Sequence, residues 1–94
     1  MNGQGPARAT AIIVNKRGLH ARASAKFVET AARFQSEITV TKGDASVSGR
    51  SIMGLMMLAA SLGSSIELAA EGPDASEAVT ALLALIAAKF HEDA

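Results

Sequence analysis

Along this chain, stretches that alternate apolar and polar residues take turns with stretches that repeat at helical spacing. Arg8 to Val14 reads as a strand closing on the apolar run Ala11-Ile12-Ile13-Val14, and Asn15-Lys16-Arg17-Gly18 as a basic turn. A helix follows from about His20 to Phe34, because Ala23, Phe27, Ala31 and Phe34 share one face while Arg22, Lys26, Glu29 and Arg33 take the other. Glu37 to Lys42 alternates, with Ile38 and Val40 on one side. Gly43-Asp44 turns the chain back into a short strand, Ala45 to Ser48, to make a hairpin. A second helix is expected from about Ile52 to Ala60, with Ser51 as its N-cap and Gly63 ending it. Ser65 to Ala70 reads as the fourth strand, Ile66, Leu68 and Ala70 facing one way. Gly72-Pro73 breaks it, and Asp74 with Glu77 forms a capping pair. The last helix carries the stripe Ala75, Ala78, Val79, Leu82, Leu83, Ile86 and Phe90. The order is β-α-β-β-α-β-α. One face of the sheet is covered by helices and the other is wet, a two-layer α+β architecture.

Composition narrows the chemistry. The 94 residues suffice for one domain, expected over residues 8–94 behind a disordered lead-in at 1–7. With three Phe as the only aromatics, the core must be Ala, Val, Ile, Leu and Met. Absence of cysteine excludes a disulfide framework, a thiolate metal site and thiol catalysis. Nine basic and nine acidic residues balance to zero, without the basic stripe of a nucleic-acid binder. There is neither an apolar run of roughly 20 residues nor a secretory leader pattern, so a cytoplasmic protein with no membrane insertion is expected.

The candidate chemistry centres on Gly18-Leu19-His20-Ala21-Arg22. This segment puts His20 and Arg22 at a helix N-terminus, where unpaired N–H groups and the helix dipole favour an anion and suit a neutral imidazole. A plain reading is that His20 only caps the helix. Three features favour a phosphoryl acceptor. Gly18 permits unusual backbone and close approach. Arg22 offers a guanidinium, the natural partner of phosphate. No carboxylate lies between Asn15 and Phe27, as a triad or metal-binding histidine would need for orientation. Which ring nitrogen reacts is left open by the residues alone. His91, placed in the last turn of the final helix, is explained by the dipole without any functional role.

A second site follows Ser51. The segment Ser51-Ile52-Met53-Gly54-Leu55-Met56-Met57-Leu58 is apolar nearly all round. Leu55, Leu58 and Leu62 form the expected core face. Ile52, Met53 and Met56 then project at least partly outward, as a docking surface for which flexible methionine is well suited. The alternative is that all of them pack inside. A phosphate on Ser51 would place about two negative charges beside this patch without opposing the helix dipole. Gly43 to Ser51 has a superficial likeness to a nucleotide-binding loop, but its spacing is one residue too long, and arginine stands where lysine is needed.

Together, Gly18-Leu19-His20-Ala21-Arg22, Phe27-Val28 and Ser51-Ile52-Met53-Gly54-Leu55-Met56 resemble the histidine-containing phosphocarrier (HPr) family of the bacterial phosphotransferase system. The resemblance runs from about residue 8 to near the end. It implies an open-faced β-sandwich, a four-stranded antiparallel sheet with three helices on one face. It implies that His20 carries phosphate, that Arg22 assists it, that Ser51 is a regulatory phosphorylation site, and that Ile52, Met53 and Met56 bind partners. Those partners would be Enzyme I as donor, EIIA-type proteins as acceptors, and a serine kinase acting on Ser51. A monomeric relay protein without cofactor or metal is expected, rather than a turnover enzyme. The competing reading is a regulatory binding module whose phosphorylation is a signal rather than cargo. One departure stands out: Ala23 occupies the place of the family's usual proline, restoring a backbone donor.

Overall fold

The computed structural model describes residues 7–92. Its elements are β1 (Ala7–Ile12), α1 (Ala21–Ala31), β2 (Glu37–Lys42), β3 (Ala45–Ser48), α2 (Ile52–Met57), β4 (Ser65–Glu71) and α3 (Ala75–Ala87). The strands form one antiparallel sheet in the order β1-β4-β2-β3. The lead-in expected at residues 1–7 lies outside the described residues except for Ala7, which already belongs to β1.

Register explains why one face is dry. Ala9 pairs with Leu68, Leu68 with Val40, and Val40 with Val47, so one apolar row crosses all four strands. The adjacent row, Thr10, Glu67, Thr41 and Ser46, points to the opposite side and is polar. The three helices close over the apolar side. There Phe27, Phe90, Ile38, Leu55, Ile66, Leu68 and Leu82 are buried. A helix face of small residues lets α1 approach closely: Ala23 and Ala31 flank Phe27, and all three are fully buried.

Several boundaries differ from the sequence expectation, each for a local reason. The strand stops at Ile12 rather than Val14, although Ile13 stays tied to the neighbouring loop through Ile13 N–H to Ser64 O at 2.9 Å. Helix α1 starts after His20 and ends at Ala31 instead of Phe34. Beyond it Arg33 and Phe34 donate only to carbonyls three residues back. Helix α2 ends at Met57, where Leu58 and Ala59 make the same tightened bonds, and Ala59 enters the left-handed region at φ 53°. Ala59, not Gly63, therefore terminates it. The consequence is that Leu62, expected in the core, is 57% exposed, whereas Leu55 and Leu58 are buried as expected.

Asp74 sits at the N-cap position of α3 but makes no capping bond. Its carboxylate instead accepts from the Gln35 amide at 2.9 Å, the Ser36 amide at 3.0 Å and the Ser36 hydroxyl at 2.6 Å. It thus ties the loop after α1 to the start of α3. The last helix stops at Ala87. Lys89, Phe90 and His91 then take φ values of 58°, 55° and 59°, one turn of left-handed backbone that no periodicity announced. His91 is therefore not in the last turn of α3, and the dipole account of it does not apply.

Candidate functional site: a histidine at the start of a helix

His20 takes extended backbone (φ −72°, ψ 179°) immediately before α1, and its ring is the N-cap. Nδ1 accepts from the backbone N–H of Arg22 at 3.2 Å and of Ala23 at 3.5 Å. Two of the helix's otherwise unpaired donors therefore converge on one ring nitrogen. The histidine is a cap, as the plain reading had it. The same geometry leaves an electron pair in front of two amides and a helix dipole.

The other ring nitrogen is not open. Nε2 is bonded to Oε2 of Glu92, which arrives from the far end of the chain. The absence of a nearby carboxylate, true along the sequence from Asn15 to Phe27, does not hold in space. Glu92 Oε1 also accepts from Asn15 Nδ2 at 3.2 Å, and the same Nδ2 donates to Gly18 O at 2.9 Å. Asn15 is 1% exposed and its Oδ1 is buried without a partner among the described residues. Burial works to raise the Glu92 carboxyl. The bonds from His20 and Asn15, helped by attraction to His20 and Arg17, outweigh it and hold the group below its ordinary range. With N–H donors at Nδ1 and a carboxylate at Nε2, the bonding pattern assigns the proton to Nε2.

Each of the remaining candidates has its own local setting. Gly18 has φ +66° and packs against the backbone beyond α2. A Cβ there would lie 2.3 Å from Ala60 O, and the next residue, Leu19, donates to that oxygen at 2.9 Å. The close approach foreseen at Gly18 is to its own chain rather than to a ligand. Arg22 is exposed, and what it brings to the ring is its amide. Its guanidinium makes no hydrogen bond or ion pair among the described residues. Ser51 caps α2 through Gly54 N–H to Oγ at 2.9 Å. Ile52 and Met56 are 40% exposed and Met53 is 69% exposed, so the outward patch is present. Met57, at 78% exposure, belongs to it as well and was missed by the sequence reading.

A comparison with known proteins decides the family. The family model "PTS HPr component phosphorylation site" matches residues 7–88. The chain belongs to the HPr family of phosphocarrier proteins. It is 59% identical over 80 residues to the phosphocarrier protein HPr of Neisseria meningitidis, covering 85% of this chain and 90% of that one. It is 45% identical over 80 residues to the phosphocarrier protein NPr of Shewanella violacea, covering 85% and 88%. Among solved structures it superposes on HPr-C-His of Thermoanaerobacter tengcongensis with a TM-score of 0.89 at 48% identity, covering 94% of this chain and 99% of that one. Among the described residues no helix is long and apolar enough to cross a membrane.

Proposed function

We propose that this phosphocarrier takes a phosphoryl group onto Nδ1 of His20 from Enzyme I, itself charged by phosphoenolpyruvate, and hands it to EIIA-type acceptors. The observation that carries this reading is the aim of Nδ1 at the Arg22 and Ala23 amides. The Nδ1 electron pair forms the new P–N bond. The donor's bond to phosphorus breaks, and its pair stays with the donor. The phosphoryl oxygens then meet the amides that had bonded the bare nitrogen, together with the positive end of α1. Transfer of this kind needs positioning and charge neutralisation more than covalent assistance. The exposed Arg22 side chain can turn onto the phosphate as it arrives.

The outward patch of Ile52, Met53 and Met56 gives donor and acceptor a common docking surface. Gly18 ties that surface to the His20 loop through Ala60. Ser51 lies at the patch edge, where a kinase would place a dianion next to the apolar contacts and weaken docking. Residues 8–94 act as one domain in this scheme. The test is mass spectrometry under alkaline conditions after incubation with phosphoenolpyruvate and Enzyme I. One phosphate is expected on the chain and none on a His20→Ala variant. Phosphate persisting in that variant overturns the assignment.

A further inference from the structure

We infer that Glu92 is a positioning residue for the phosphoryl acceptor, holding Nε2–H so that the Nδ1 electron pair stays fixed at the helix terminus. The inference rests on His20 being the acceptor, and four observations carry it. First, Glu92 Oε2 meets Nε2 directly, across 72 positions of sequence. Second, the carboxylate is itself oriented. Its other oxygen is held by Asn15 Nδ2, and Asn15 is buried and bonded to Gly18 O, two residues before the histidine. Third, the pair is largely withdrawn from water, with side-chain exposures of 16% for His20 and 12% for Glu92, so a charge-assisted bond counts for more than on an open surface.

Fourth, the chain adopts costly backbone to deliver this carboxylate. Lys89, Phe90 and His91 are all left-handed, a conformation that non-glycine residues resist. The turn is held by the fully buried Phe90 ring and by Lys26 Nζ donating to Phe90 O at 2.6 Å. A straight continuation of α3 would need neither. Glu92 follows directly on this turn.

The chemistry explains why a carboxylate belongs there. An imidazole can place its proton on either nitrogen, and only the Nε2–H form presents an electron pair at Nδ1. Once the Nδ1–P bond has formed and the donor has left with its electron pair, Nε2 keeps its proton and the ring carries a positive charge. Glu92 offsets that charge where it develops, much as a buried carboxylate orients and supports the histidine of a hydrolytic triad.

The test uses the full chain, as wild type, Glu92→Ala and Glu92→Gln, with a thermal melt to verify folding. Nitrogen-15 NMR of the His20 ring reads the tautomer without any phosphate present. Single-turnover uptake from Enzyme I and phosphoenolpyruvate reads the rate. Loss of one charge-assisted bond predicts uptake about tenfold slower in Glu92→Ala, with the ring shifting to a tautomer mixture. Glu92→Gln, which keeps an acceptor but not the charge, should fall between the two. Unchanged or faster uptake in Glu92→Ala overturns the inference, and so does an unchanged tautomer. If wild type takes up no phosphate, the acceptor assignment fails instead, while the tautomer measurement still judges Glu92 by itself.

Discussion

Gly18 rests against Ala60 so closely that a β-carbon on the glycine would lie 2.3 Å from the Ala60 carbonyl oxygen. This contact joins the loop that carries His20 to the segment that ends the exposed α2 patch. In the relay proposed here, a protein docked on one is thereby held in register with the other.

Gly18→Ala meets both that overlap and the left-handed φ of +66°. The conformational cost alone is roughly 1–2 kcal/mol, and the obstacle is backbone, which cannot swing aside. A lower urea midpoint with an unchanged slope is expected, together with slower phosphoryl uptake. A variant as stable as wild type would show that the loop can move away from Ala60.

Ala23→Pro removes one of the two amides that face Nδ1. The first turn of a helix tolerates proline, so the fold should survive with little change in its melting temperature. The phosphorylated form should lose its phosphate faster than wild type, as followed by phosphorus NMR. An equal lifetime would mean that the longer of the two bonds, 3.5 Å from Ala23, does not matter to the charged state.

Phe90→Ala removes a fully buried ring from beneath the left-handed turn. The usual cost of such a truncation is about 3–5 kcal/mol. Calorimetry should show that loss, and NMR of the His20 ring should show Nε2 released from Glu92. A destabilised variant in which the Nε2 bond persists would mean that the turn holds itself without its anchor.

Acid should weaken the fold through two carboxylates. The Ser36 hydroxyl and the Gln35 and Ser36 amides hold Asp74 below its ordinary value of 3.8, and Glu92 is likewise held below 4.5. A carboxyl lowered in the folded state adds stability that is complete above its ordinary value. That stability fades as pH falls through the folded one. Denaturant unfolding should therefore show stability dropping from about pH 5 downward. The drop should be shallower in Asp74→Asn, and an identical slope would remove Asp74 as a contributor.

Ser51→Ala removes the cap of α2 and should cost about 0.5–2 kcal/mol. Ser51→Asp keeps an N-cap acceptor and adds charge beside Ile52 and Met53. It should leave the melt near that of wild type and weaken Enzyme I binding in titration calorimetry. Unchanged affinity would count against regulation at Ser51.

The sequence by itself determined the order of elements, the inward residues of β2 and β4, the cap at Ser51 and the histidine at the start of α1. These are local matters: period-two and helical spacing decide which side chains share a face, and a cap depends only on residues within one turn. Helix ends were less legible. The sequence reading ran α2 to about Ala60 with Gly63 as its stop, whereas the helix ends at Met57 and Ala59 turns left-handed. Asp74 looked like a helix cap, yet the fold brought Ser36 and Gln35 close enough to take its carboxylate.

Tertiary structure alone decided the second half of the His20 site. No spacing rule links Asn15, His20 and Glu92, because the last is 72 positions from the histidine and arrives through a turn that periodicity reads as more helix. Fully buried Phe90 lies in left-handed backbone, and the chain leaving that bend sets the Glu92 carboxylate on the ring. Local chemistry set the histidine at the start of the helix; the structure decided which nitrogen faces the amides and what holds the other.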